Sequence, residues 1–340
     1  MERSKPIEFA FFLRSLPELQ DAQRKFTLSA DDIALLNPNT YTCPIFRTSR
    51  DAEITKQIYA RVPVLIHEST GERGNPWKVS FLRMLDMAMD SSSFHTAAQL
   101  EGESWTPKGN LFENEESRRV PLYEAKMVHQ YNHRYGDYAD KDPTDEGLSL
   151  PDVSEDRLRD PDYFPKPRYW VPDDAVDERL LGRWDRQWLL GWRDICRSTD
   201  ERTVIASVIP RTGVGDKFLL MMSGVVGSGP ALCASLNSFV FDYATRQKLG
   251  GSSLKYFVMR QLPILPPVAM EAPVAWQTGA CVREWITQRV LELTYTTWDL
   301  QPFASDVEWV GPPFRWDSTR RILLRCELDA AFFHFYGICR

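Results

Sequence analysis

No run in this 340-residue chain approaches the roughly 18–20 consecutive apolar residues that a bilayer-crossing helix needs. Its opening, Met1-Glu-Arg-Ser-Lys-Pro-Ile-Glu-Phe, lacks the charged, apolar and small-residue succession of a signal peptide. Cysteine is sparse: Cys43, Cys196, Cys233, Cys281, Cys326 and Cys339 stand far apart, with no C-x-x-C pair. That excludes a ribbon-type zinc site and argues against a disulfide framework, so free thiols in a reducing cytoplasm are expected, with no membrane partner. Nor is there a Walker loop, a Gly-x-Ser-x-Gly elbow, an iron–sulfur spacing or a repeat at a solenoid period.

What is present is an ordinary globular mixture, 43% hydrophobic and 26% charged, long enough for two modest domains or one larger one with an appendage. Aromatic content is high at 12%, with 11 Trp, and abundance of this kind favours core packing over base stacking. A net charge of −6 looks wrong for binding a polyanion, but its distribution matters. Between Asp137 and Asp162 ten acids face three bases, so this segment carries −7 and the rest of the chain +1. A nearly neutral body can still hold a local basic face.

Patterning predicts a short apolar element at Ile7–Leu13, a helix capped by Ser29, a turn at Asn37–Thr40, and a helix from Arg50 to Ala60 capped by Ser49. Val62–Ile66 reads as an edge strand and Ser80–Asp90 as a helix. Extended structure leads into Val120–Val128, and the acidic segment 137–168 reads as a long surface connection. Beyond it come a strand at Arg168–Pro172, a helix over Asp174–Leu190, and strands at Thr203–Pro210 and Lys217–Met222. Pro230–Gln247 predicts a helix ended by Gly250-Gly251, and Leu254–Pro263 a further strand. Gly279–Thr297 and Ser318–Tyr336 predict a C-terminal helical pair.

Few residues propose chemistry. Adenine amino-methyltransferases hold the flipped base with an Asp/Asn-Pro-Pro-aromatic loop, and the nearest string, Gly311-Pro-Pro-Phe314, lacks the needed carboxylate or amide. Gly227-Ser-Gly229 is too short for a nucleotide fingerprint and precedes a helix without a known strand before it. Glu124-Ala-Lys126 fits half of a Mg²⁺ nuclease core, but upstream stand only the clustered Glu113, Glu115 and Glu116, and a surface ion pair is the plainer reading. His129 and His133 share a helical spacing without a third zinc ligand. From Tyr243 to Met270 there is no acid, while Arg246, Lys248, Lys255 and Arg260 are basic and lie around Gly250-Gly-Ser-Ser253, whose backbone N–H groups suit phosphate. Arg193, Arg197, Arg202 and Arg211 form a second basic set. Charge patterning of this kind points to DNA.

Six strings in order strengthen that reading: Leu36-Asn-Pro-Asn-Thr-Tyr-Thr-Cys-Pro-Ile-Phe-Arg47, Pro121-Leu-Tyr-Glu-Ala-Lys-Met-Val-His-Gln-Tyr131, Asp200-Glu-Arg-Thr-Val-Ile-Ala-Ser-Val-Ile-Pro210, Leu236-Asn-Ser-Phe-Val-Phe-Asp-Tyr243, Gly250-Gly-Ser-Ser-Leu-Lys-Tyr-Phe257 and Glu327-Leu-Asp-Ala-Ala-Phe-Phe-His-Phe-Tyr-Gly337. Over nearly its whole length the chain resembles the C-terminal, TaqI-like target-recognition region of fused type IIG, BREX and DISARM adenine-specific DNA methyltransferases. The resemblance implies that another half flips and methylates adenine N6 with S-adenosylmethionine, while this half grips and reads double-stranded DNA. It also implies that the chain departs from the family by lacking the catalytic half, so no catalytic residue, metal or cofactor is expected on it.

The expectation is thus a mixed α/β (α+β) fold. An N-terminal α/β segment (1–119) precedes a twisted β-rich recognition core (120–268), and a C-terminal helical segment (269–340) follows. Lys126, His129, Tyr131, Arg134, Arg246, Lys248, Gly250, Gly251, Lys255 and Arg260 are expected to bind DNA, with Arg246, Lys248, Lys255 and Arg260 on phosphates. Partners would be duplex DNA and a methyltransferase half or other defence subunits. The alternatives are a Mg²⁺ nuclease using Glu124 and Lys126, or a scaffold that docks protein.

Overall fold

Three strands buried on both faces, β8, β9 and β11 of one sheet, set the architecture. In a computed structural model describing residues 5–338 except Pro143, Glu146, Ser198 and Thr199, the strands are β1 (Ile7–Phe9), β2 (Phe26–Leu28), β3 (Val79–Leu82), β4 (Thr106–Lys108), β5 (Leu111–Glu113), β6 (Arg118–Tyr123), β7 (Trp170–Pro172), β8 (Trp188–Arg193), β9 (Ala206–Pro210), β10 (Gly213–Val214) and β11 (Phe218–Ser223). The signal-peptide reading of Met1–Ser4 and the readings of Glu146 and Cys339 fall outside the described residues. The helices are α1 (Leu16–Gln20), α2 (Ala30–Leu36), α3 (Ser49–Arg61), α4 (Ala97–Gly102), α5 (Glu155–Arg159), α6 (Asp173–Leu180), α7 (Ser228–Asn237), α8 (Phe239–Lys248), α9 (Tyr256–Met259), α10 (Pro267–Met270), α11 (Val282–Thr294), α12 (Gln301–Asp306) and α13 (Ser318–Phe335). The fold class is α+β, as the sequence implies.

Strands β3-β11-β8-β9 form an antiparallel sheet with Leu190 opposite both Met221 and Val208. Side chains alternate across it. Trp188, Leu190, Trp192, Val208, Leu219 and Met221 enter a large core shared with α7, α8, α11 and α13. Leu189, Ile209, Phe218 and Leu220 enter a second core with Val120 and Leu122 of β6. That strand belongs to the other large sheet, ordered β10-β6-β5-β4 with β7 also on β6. Helices, sheet and sheet therefore stack in three layers. The cuts at 119 and 268 run through this stack, because β3 pairs with β11 and α11 packs on α7.

Burial on both faces explains the main departures from the patterns. Trp188-Leu-Leu-Gly-Trp-Arg193 has no alternation to reveal a strand, so its run reads as the continuation of a helix that ends at Leu180. Leu254, Val258 and Leu262 lie four apart and are all buried, which suits the short helix α9 and its turns rather than the expected strand. Ser80–Asp90 is no helix: Val79–Leu82 is a strand by pairing with β11, and Asp86 closes a turn by accepting from Ala88 and Met89 N–H. Val62–Ile66 forms a single bridge, Val64 to Pro263. Pro230–Gln247 divides at Ser238, whose hydroxyl accepts from Phe241 N–H and starts α8. Thr48, not Ser49, caps α3, whereas Ser29 caps α2 as expected and Asp32 returns the bond to complete a capping box.

No helix among the described residues is long and apolar enough to cross a membrane.

Candidate nucleic-acid interface

Beyond β6 the chain makes one tight turn at 125–127 and enters a two-residue hairpin. His129 N–H donates to Asn132 C=O at 2.7 Å and Asn132 N–H returns to His129 C=O at 3.0 Å. The turn demands a left-handed residue, and Tyr131 takes it at φ +57. For a bulky non-glycine residue this is strained backbone, held only by over-determined surroundings. The surroundings qualify. Gln130 Nε2 donates to Val204 C=O at 3.1 Å, Tyr131 N–H to Ala206 C=O at 3.2 Å, and Arg321 Nη2 to Tyr131 C=O at 3.2 Å. The hairpin tip is a wedge driven into the core, and Tyr131 is 3% exposed.

The next two residues are latches. His133 Nε2 meets Asp299 at 3.2 Å and Thr297 Oγ1 at 3.2 Å. Arg134, wholly buried, donates to the carbonyls of Arg157, Leu158, Asp160, Tyr163 and Thr296 and to Thr296 Oγ1, at 2.7–3.3 Å. One guanidinium thus holds the end of α5 and much of the acidic connection against the segment that leads to α12. His133 faces inward and His129 outward, so the pair does not converge as zinc ligands would.

What this segment presents outward is His129 and Tyr135, rings 4.7 Å apart. Arg193 lies 5.7 Å over Tyr135 and donates to Val128 C=O at 2.7 Å. Arg325, from α13, donates to Gln130 Oε1 at 3.0 Å. Arg202 packs 3.4 Å over the half-exposed ring of Phe239 and pairs with Asp329 at 2.9 Å. Arg197 is exposed on the loop that follows β8. Asp152 also opposes this charge, bonded to the Tyr135 hydroxyl. Burial first, and then the positive charges of Arg193, Arg325 and Arg202, pull the His129 imidazole down from 6.5 to about 4.

His129 is therefore neutral at physiological pH, with one ring donor and one ring acceptor. Its folded value lies below its unfolded one, so the stability it carries is complete above about pH 6.5 and is lost as pH falls through about 4. At about 1.36 kcal/mol per unit, His129→Gln should remove about 3 kcal/mol of acid destabilisation between those limits. Urea unfolding of both proteins at pH 7, 5 and 4 measures it, and parallel acid profiles would refute it.

The expected phosphate face is mostly committed elsewhere. Lys248 is half-buried, and its three donors already go to Leu36 C=O, Asn37 Oδ1 and Gln261 C=O. Desolvation draws its ammonium down to about 7. Arg246 spans Asp242 and the carbonyls of Asp200 and Glu201. Lys255 neutralises Asp194, a fully buried carboxylate, and Arg260 pairs with Glu68 at 2.7 Å. Gly250 and Gly251 stay exposed with open space around them. Tyr131 and Arg134 cannot contact bases, because the core encloses both. Of the motif residues, His129 keeps an accessible edge and Lys126 is half-buried beside Glu124 (3.2 Å) and over Tyr138 (5.1 Å). From the second basic set, Arg193 and Arg202 act on His129 through their charge, whereas Arg211 pairs with Asp173 and Asp177 on α6. Arg325 was invisible to sequence reasoning, being nearly two hundred residues away along an ordinary helix.

The nuclease half-motif gains a neighbour. Parallel pairing of β10 with β6 brings Asp216 to the same hollow of about 350 Å³ as Glu124 and Lys126, beside Met87, Leu148 and Ile195. Each carboxylate already has cationic or hydroxyl partners: Tyr138 and Lys126 on Glu124, Arg83 and Lys217 on Asp216. Among the described residues no three His, Cys, Asp or Glu side chains converge as a metal site.

No family model matches the chain, and no curated protein matches it.

Proposed function

We propose that this chain is a cytoplasmic DNA-recognition module that serves an adenine-N6 methyltransferase of restriction–modification or phage defence. Catalysis and S-adenosylmethionine then belong to a partner half, to which no residue here is assigned. The observation that carries the reading is the neutral His129 packed at a tilt against Tyr135, with Arg193 and Arg325 beside it. Guanidinium groups neutralise phosphates and read guanine edges, and flat half-exposed rings stack on bases or meet their edges. The six ordered strings supply the choice of methyltransferase, and the hairpin with the outward His129–Tyr135 pair lies within the second of them and just beyond it.

The test is fluorescence anisotropy with duplex DNA over a salt series. Each lost phosphate contact should lower the slope of log affinity against log salt by about 0.9. Arg193→Gln with Arg325→Gln should flatten it by about two such steps. Lys248→Met, folded or partly unfolded, should leave the slope of its folded fraction unchanged. An identical slope in the double variant would remove DNA from this surface and leave protein docking as the better reading.

The meeting of Asp216 with Glu124 and Lys126 favours a second reading, Mg²⁺-dependent cleavage. Duplex DNA incubated with Mg²⁺ decides it, since cutting by the parent protein that is lost in Glu124→Gln would promote the nuclease, and intact DNA would retire it.

A further inference from the structure

The loop from Gly224 to Gly227 joins the end of β11 directly to the start of α7, so a strand does precede Gly227-Ser-Gly229. All ten residues of α7 are buried, yet its N-terminus has no side-chain cap; Gly227 holds the N-cap position at φ +68. A buried helix start without such a cap leaves N–H groups and the positive end of the helix dipole unanswered. The amides of Val226 and Gly227 find no acceptor among the described residues. Ser228, 5% exposed at the first helical position, lines the adjoining hollow of about 520 Å³, and its hydroxyl has no hydrogen-bond partner among the described residues. Two cations border the same hollow, Lys78 and Arg183, and neither has a carboxylate partner among the described residues. Lys78 is held there by a left-handed backbone, φ +49, and its carbonyl accepts from Gly224 N–H at 3.2 Å. Arg186, also at the rim, is matched by Asp185 and Asp306.

We propose that the β11–α7 loop is a phosphate-binding site that takes a nucleotide, its phosphate on the Val226 and Gly227 amides, the Ser228 hydroxyl, Lys78 and Arg183. A strand, a glycine-bearing turn and a helix N-terminus form the general geometry for phosphate. The hollow's volume suits a small molecule, and Trp184 forms part of its wall. The site is separate from the proposed DNA surface. Arg193 pairs with Phe218 at one end of β11 and the loop leaves from Ser223 at the other, about 17–20 Å away along a six-residue strand.

Isothermal titration of the full chain with inorganic phosphate, AMP and ADP tests this. A nucleotide should bind, and the surface double variant Lys78→Gln with Arg183→Gln should weaken it at least about tenfold without shifting the thermal midpoint. Ser228→Ala, which removes one buried hydroxyl and should fold, is expected to weaken it too, while Arg193→Gln with Arg325→Gln should leave it unchanged. Absence of nucleotide binding, or binding indifferent to Lys78, Arg183 and Ser228, overturns the proposal. A short duplex that displaces ADP and loses affinity in the Lys78 and Arg183 variant would keep the phosphate site and overturn the nucleotide as its ligand.

Discussion

Arg134→Met should destabilise the protein by about 3–5 kcal/mol, enough to unfold most of a marginally stable chain at 37 °C. Methionine roughly fills the volume but donates nothing. Five carbonyls and one hydroxyl that now share the guanidinium would be left short of donors in the interior. Arg134→Lys should rescue little, since a point-like ammonium with three donors cannot span acceptors on both α5 and Thr296. Limited proteolysis adds a local readout. Loss of the latch should expose cleavage between 137 and 168 before the rest of the chain unfolds. A variant with an unchanged urea midpoint and an unchanged digest would show that these bonds contribute nothing net.

That prediction also shows what the sequence could and could not convey. The motif Tyr131-Asn-His-Arg-Tyr135 is conspicuous, and its residue types invite a DNA contact throughout. The hairpin instead sorts them: Tyr131, His133 and Arg134 turn in, and His129 and Tyr135 turn out. The sorting follows from one left-handed residue at the turn, which no local pattern announces because glycine or asparagine is the usual signal. Elements whose identity is decided locally were readable. Ser29 and Asp32 cap α2, the β-branched run at 206–210 forms β9, and the apolar spacing of Val282–Thr294 and Ser318–Phe335 gives the C-terminal pair. Contacts between distant segments were not. Asp216 reaches Glu124 only through the β10–β6 pairing, and Lys248 is lost to solvent because α2 and the segment after α9 close over it.

The same logic makes Asp329 the second residue whose loss should be severe. It sits on α13, 8% exposed, and its two oxygens do different work. One accepts from Arg202 Nη2 at 2.9 Å, and the other from Phe239 N–H at 2.7 Å, the first amide of α8. Burial raises its carboxyl above the ordinary value, while Arg202 and the Phe239 amide hold it down. Asp329→Ala strands a guanidinium that is 4% exposed and leaves the Phe239 amide without its acceptor, an expected loss of about 3–5 kcal/mol. Replacing both partners separates charge from packing: Arg202→Met with Asp329→Leu should be more stable than Asp329→Ala alone, because neither charge is then buried unpaired. Urea unfolding of the parent, of Arg202→Met and Asp329→Leu singly, and of the double variant decides the point. Strictly additive losses would deny the pair its coupling.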